Sequence, residues 1–266
     1  APRQPEPIRR PTGRPPTRPL RPVPDIEIPH VRLGIAWAVV TFAVATAGAA
    51  PLAVWMAVVA LAAAGQACRS WRGAAVRPWR PVAIGGAVVL PLTAIAGLAG
   101  VGVGLLVIAL TLGVRWWRTG QPSWRDELLR TASVAVGIGL AAASPVAARH
   151  LGLIPGIVLL SLVGAYDASA YVVGTGAGSP WEGPAAGVAA VFAVTLAVAA
   201  VFAPPFRGAS PWLLGLAVTG LAPLGRRAAD QITGDAEGRT PAVGRLSSLL
   251  LAGPVWVVLA VLTLSL

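Results

Sequence analysis

The chain is dominated by long apolar runs, most of ~16–22 residues, separated by short clusters of Arg, Pro, Gly and Trp. A helix rises ~1.5 Å per residue, so a run of that length crosses a hydrocarbon core of ~30 Å. The strands of a membrane barrel alternate apolar and polar positions, and these runs do not. The pattern predicts an all-α, polytopic integral membrane protein of about nine transmembrane helices. The expected spans are 33–48, 52–67, 82–98, 101–114, 131–148, 151–166, 185–203, 212–224 and 246–264. The glycine-rich stretch 97–104 fits either a tight turn or a close helix crossing, because small residues serve both.

Composition agrees: 56% of the 266 residues are hydrophobic and 12% charged, with a mean hydropathy of +0.73. A soluble domain is about a quarter charged. All 21 basic residues are Arg. If the N-terminus is cytoplasmic, the expected spans put Arg69, Arg72, Arg77, Arg80, Arg115, Arg118, Arg125, Arg130, Arg226, Arg227, Arg239 and Arg245 on the inner side. Only Arg149 and Arg207 are then outside. Trp71, Trp79, Trp116, Trp117 and Trp124 sit among the inner arginines, as interfacial anchors do. The expectation is a multi-pass protein of the cell inner (plasma) membrane, with its N-terminus cytoplasmic and its C-terminus external.

Residues 1–31 mix Pro and Arg with little to bury, and read as a disordered, basic cytoplasmic tail without a signal peptide. Residues 32–150 form an N-terminal set of helices, and 151–266 a C-terminal domain with a cytoplasm-facing polar site. The net charge of +11 follows from interfacial arginine and calls for no nucleic-acid partner. Cys68 is the single cysteine, so there is no disulfide framework and no thiolate metal site.

Acidic residues are scarce in such a chain and therefore informative. Asp126 and Glu127 sit beside Arg125 and Arg130, where surface pairing is expected. Asp167, Glu182, Asp230, Asp235 and Glu237 all fall in the C-terminal part, on the expected inner side. Asp167 follows an apolar run directly. A carboxylate at that depth must be paired, hydrated or bound to a cation, which makes it a site candidate. Helical spacing puts Asp167, Ala170, Tyr171 and Gly174 on one face. A Gly/Ser/Thr-rich turn follows, containing Ser179 and Glu182, whose backbone donors could hold phosphate. The same residues also suit a helix cap and an ordinary turn.

These residues resemble the phosphatidate cytidylyltransferase family, membrane enzymes that make CDP-diacylglycerol from CTP and phosphatidic acid. Asp167, Ala170, Tyr171 and Gly174 match the family's Asp-x-x-Ala-Tyr-x-x-Gly segment. Ser179, Pro180, Glu182 and Gly183 match a following Ser-Pro-x-Lys-Thr-x-Glu-Gly segment in shortened form, without its Lys-Thr. Arg226 and Arg227 stand at the family's basic pair, and Gly244-Arg245-Leu246-Ser247-Ser248 at its closing signature. The closing aspartates are replaced by Gly244 and Ser247, and no Gly-Asp precedes the basic pair.

The resemblance implies transfer of CMP from CTP to phosphatidic acid in phospholipid biosynthesis. It implies Asp167 and Tyr171 as catalytic residues, with Gly174, Ser179, Glu182, Arg226, Arg227 and Arg245 binding substrate. Mg²⁺ is the implied cofactor, and Asp167, Asp230 and Asp235 are the acids placed to hold it. The partners are phosphatidic acid and CTP, with a homodimer as an option. Because the family's metal aspartates are missing, the alternative is an inactive paralogue that binds nucleotide, lipid or a true enzyme subunit.

Overall fold

The computed structural model describes residues 28–119, 124–175, 177–179, 181–201, 205–234 and 241–264. The expected tail lies almost wholly outside the described residues, as do Asp235, Glu237 and Arg239. Among the described residues every regular element is helical. Six stretches are long and apolar enough to cross a membrane: Ala49–Gly73, Arg80–Arg118, Trp124–His150, Leu153–Gly174, Glu182–Ala200 and Pro241–Leu264.

The helices are α1 Ile28–Ala47, α2 Ala49–Ser70, α3 Arg80–Thr93, α4 Gly97–Thr119, α5 Trp124–Ala132 and α6 Gly139–His150. They continue as α7 Leu153–Gly174, α8 Glu182–Ala200, α9 Ser210–Thr233, the short α10 Pro241–Leu246 and α11 Leu249–Leu264. A π-helical stretch, Ser133–Ile138, joins α5 to α6 without interruption.

Arg80–Arg118 is apolar throughout, yet it is a hairpin and not a single rod. After one 3-10 turn, Ala94–Ala96, Gly97 adopts φ 69°, a conformation that glycine reaches without steric penalty. Beyond it α4 folds back on α3. A Cβ at Gly104 would lie 2.7 Å from Thr93 Oγ1, and one at Gly100 would overlap the Thr93 carbonyl. The glycine-rich stretch is therefore both a turn and a close crossing. Two other hairpins share one design. Gly48 (φ 140°) and Gly152 (φ 145°) precede α2 and α7, and each is followed by a proline in the first helical turn, Pro51 and Pro155. There the missing N–H has no intrahelical partner to lose.

The centre is built from small side chains. Ala53, Ala60, Ala63, Ala64 and Ala67 of α2 are buried, as are Ala141, Ala142, Ala143 and Ala148 of α6. Close approach of helix backbones brings dispersion contacts, which drive packing where lipid removes the hydrophobic effect. Gly139 meets Ala87 and Leu90 of α3, and Gly253 of α11 meets Ser144 of α6. The outer faces carry apolar residues, such as Val103, Leu106 and Leu110 on α4 and Val188, Phe192 and Leu196 on α8. A polar layer lies at the end of the bundle where α2 stops. Trp71 Nε1 donates to the Ile232 carbonyl at the end of α9 (2.8 Å), and the Ala242 N–H donates to Gln66 Oε1 (3.1 Å).

Candidate functional site

Asp167 lies within α7, about two turns before its end at Gly174. Its Oδ1 accepts a hydrogen bond from an Arg226 terminal nitrogen of α9 at 2.7 Å, and another from the Ser248 hydroxyl, just before α11. Arg226 Nε also approaches Ser248 Oγ at 3.4 Å. The Arg226 guanidinium lies over the Tyr166 ring, 5.0 Å from its centroid. One carboxylate thus joins three segments far apart in sequence.

Small residues make this meeting possible. Gly225 lets α9 approach the 247–251 segment so closely that a Cβ there would be 2.5 Å from the Ser247 carbonyl oxygen. Gly187 of α8 gives room to the Tyr166 ring, which is fully buried. The Tyr166 hydroxyl has no hydrogen-bond partner among the described residues.

The remaining predicted residues divide into near and far. Arg245 is near: its charge acts on Asp167, while its guanidinium packs over Gly34 of α1. Tyr171 is not part of the cluster; it shares the helix with Asp167, but its side chain is 43% exposed. Arg227 is exposed one position beyond Arg226. Gly174 lies against Gly183, whose own added Cβ would meet the Ala170 carbonyl oxygen at 2.9 Å, so the pair sets the α7–α8 crossing.

Ser179 and Glu182 build the turn that opens α8. The Ser179 carbonyl accepts the Glu182 N–H at 3.3 Å, and its hydroxyl accepts the Trp181 N–H at 3.4 Å. Trp181 is the N-cap of α8 and makes no side-chain cap bond, so the pair is not a capping box; Glu182 stands in the first turn, where the helix dipole favours a negative charge. Asp230 is half-buried on α9 and has an interaction partner. Among the described residues no group of three His, Cys, Asp or Glu side chains is gathered as a metal site.

Tyr166 and Ser248 belong to the cluster but are not in the predicted set. A signal for both exists: Tyr166 directly precedes Asp167, and Ser247-Ser248 interrupts an otherwise apolar approach to α11. No family model, curated protein or solved structure matches this chain.

Chemically, the cluster offers a guanidinium held by a carboxylate and backed by an aromatic face, with a second arginine nearby. Arg226 uses one terminal nitrogen and Nε in these contacts and retains other donors for an anion. Asp167 is already compensated by a cation, and the described residues around it do not fit a resident metal. Magnesium would have to draw on Asp230 and the segment after Gly234, which includes Asp235 and lies outside the described residues.

Proposed function

We propose that this is a phosphatidate cytidylyltransferase-like membrane protein, whose phosphate-handling site is centred on Arg226, Asp167 and Ser248 with Arg245 beside them. One observation carries the reading. Three segments recognised separately by their order along the chain, around Asp167, Arg226 and Ser248, meet at a single carboxylate. A chance resemblance of short motifs gives no reason for them to meet.

In this reading the protein crosses the inner membrane nine times, with its N-terminus in the cytoplasm and the cluster toward the cytoplasmic side. Phosphatidic acid and CTP are the substrates. A phosphatidate oxygen attacks the α-phosphorus of CTP, a P–O bond forms, and the bond to pyrophosphate breaks. Arg226 and Arg245 hold phosphate oxygens, as bidentate guanidinium groups do well. Asp167 orients Arg226, and Ser248 fixes the carboxylate. The test is CTP-dependent conversion of phosphatidic acid by the purified protein with Mg²⁺. Asp167→Asn abolishes turnover if the reading holds, and undiminished turnover in that variant removes Asp167 from the mechanism.

A second reading has its own support: binding without transfer. Asp167 Oδ1 already accepts from both Arg226 and Ser248, and no cluster of acids is gathered around it among the described residues. Phosphoryl transfer between anions depends on charge neutralisation, usually with metal ions. Saturable CTP or phosphatidate binding with no CDP-diacylglycerol formed selects this reading.

A further inference from the structure

A second basic site, independent of the Asp167 cluster, lies between the α2–α3 connection and α5. Residues 75–81 and Glu127 line an open cavity of about 520 Å³, within the range of small-ligand pockets. Arg77 and Arg80 line it and are exposed. Its wall is fixed at two points by α5. Arg130 donates to the Val76 carbonyl at 2.6 Å while lying over the Trp71 ring, and Thr131 Oγ1 accepts the Trp79 N–H at 2.8 Å. Glu127 is the one acidic side chain in the lining, and Arg115 engages its Oε1 at 3.0 Å. The same Arg115 covers the Trp79 ring, 4.4 Å from its centroid. The balance is strongly cationic, because the single carboxylate is already paired and two arginines face the space.

The surroundings identify what kind of anion fits. Arg80 is the first residue of the apolar stretch Arg80–Arg118, so the cavity stands where a span leaves the membrane. A crevice of only about 20 Å³ adjoins it, sharing Trp79 and Glu127 and lined further by Leu112, Arg115, Trp116, Trp124, Leu128 and Thr131. Trp116 and Trp124 stack at 5.2 Å. A cationic cavity at the end of a span, with stacked tryptophans beside it, stands where phospholipid headgroups lie.

We propose that this cavity binds the phosphate of an anionic phospholipid headgroup, with the acyl chains in the surrounding bilayer. Arg77 and Arg80 supply the charge-assisted hydrogen bonds.

Native mass spectrometry of the full chain in neutral detergent tests this with phosphatidylglycerol and phosphatidylcholine of identical chains. The expected result is preferential retention of phosphatidylglycerol. Arg77→Ala with Arg80→Ala should weaken that retention about tenfold or more, as two arginines near a headgroup would. Arg72→Ala with Arg118→Ala removes the same charge from exposed positions outside the cavity and should leave the preference intact. Ala75→Trp, which narrows the cavity without changing charge, should weaken it. Equal losses from both arginine pairs would mean diffuse electrostatic attraction and would overturn the proposal. So would full retention in Ala75→Trp. Displacement of the lipid by millimolar inorganic phosphate would make this a free-phosphate site, and would overturn the assignment to lipid.

Discussion

The Arg115–Glu127 and Arg226–Asp167 pairs look alike as contacts, at 3.0 and 2.7 Å, but stand in different places. The first joins the end of α4 to the first turn of α5, where water and headgroups reach both partners. The second joins α7 to α9 about two turns, ~10 Å, inside either helix end. Cover by protein does not separate them, since side-chain exposures are 36% and 31% for the first and 22% and 30% for the second. Depth along the helices does. An ion pair at an interface is one of many interchangeable arrangements, whereas a carboxylate within a span needs its partner to be there at all.

The sharpest way to break this comparison is to remove one member of the inner pair. Arg226→Ala leaves Asp167 with Ser248 as its hydrogen-bond partner and only the more distant charge of Arg245, and should cost about 3 kcal/mol, as losing one partner of a partly buried pair does. Adding Asp167→Asn to that variant should recover part of the loss, because the uncompensated charge is then gone. Unfolding of the four proteins of this double-mutant cycle in mixed micelles measures both numbers. Equal and additive losses would show that the two residues do not act as a pair.

The approach of α9 to the 247–251 segment supplies the next largest effect. Gly225→Ala places a methyl group 2.5 Å from the Ser247 carbonyl oxygen, and backbone cannot move as a side chain can. The expected cost is about 2 kcal/mol, with Asp167, Arg226 and Ser248 forced apart. Gly220 lies on the same helix with nothing within 4 Å of an added Cβ. Gly220→Ala should therefore be neutral or stabilising by up to ~1 kcal/mol through helix propensity. If the two alanines behave alike, the site does not depend on the closeness of this packing.

What could be read from the sequence follows the same division. Helices, the polar layer and the unusual depth of Asp167 are local properties of composition and spacing, so apolar runs and arginine clusters reveal them. The expected spans break near Gly48, Gly97 and Gly152 but include all three glycines, and 97–104 gave no choice between turn and crossing until α4 met Thr93. Which residues join Asp167 was only partly legible. Helical periodicity put Tyr171 on one face with Asp167, yet Tyr166 is the tyrosine under Arg226, because α9 approaches from one side of α7. Arg245 illustrates the limit. Its place over Gly34 joins nearly opposite ends of the chain, and no local pattern encodes that contact. Ser179 and Glu182 fell in the glycine-rich turn that the sequence indicates, and the described structure uses them in that turn.

A smaller effect tests whether the polar layer is itself ordered. Trp71 Nε1 donates to the Ile232 carbonyl across the bundle end, and its ring lies under Arg130. Trp71→Phe keeps an aromatic face for Arg130 but leaves the carbonyl without that donor, at an expected cost of about 1 kcal/mol. Hydrogen exchange at the end of α9 should rise in the variant while exchange in α4 stays unchanged. Faster exchange throughout the bundle would mean that Trp71 supports the whole fold and not one contact.

The smallest effect is expected at the outer pair, and it completes the comparison. Glu127→Gln keeps the size of the side chain and a carbonyl oxygen able to accept from Arg115, and it removes only the charge. An exposed ion pair is worth ~0–1 kcal/mol, and screening by salt reduces that further. Arg115 also retains the Trp79 ring beneath its guanidinium, a contact that does not depend on Glu127. The predicted loss is therefore below about 1 kcal/mol at low ionic strength and fades in high salt. The matching substitution Asp167→Asn should show less salt dependence, because Asp167 is in direct hydrogen-bond contact with Arg226 and Ser248 and a partly buried pair is screened much less. Measuring both variants at two salt concentrations gives a difference of differences that is insensitive to detergent. A strong, salt-independent loss in Glu127→Gln would place the outer pair in the same class as the inner one, and depth along the helix would no longer explain what each pair does.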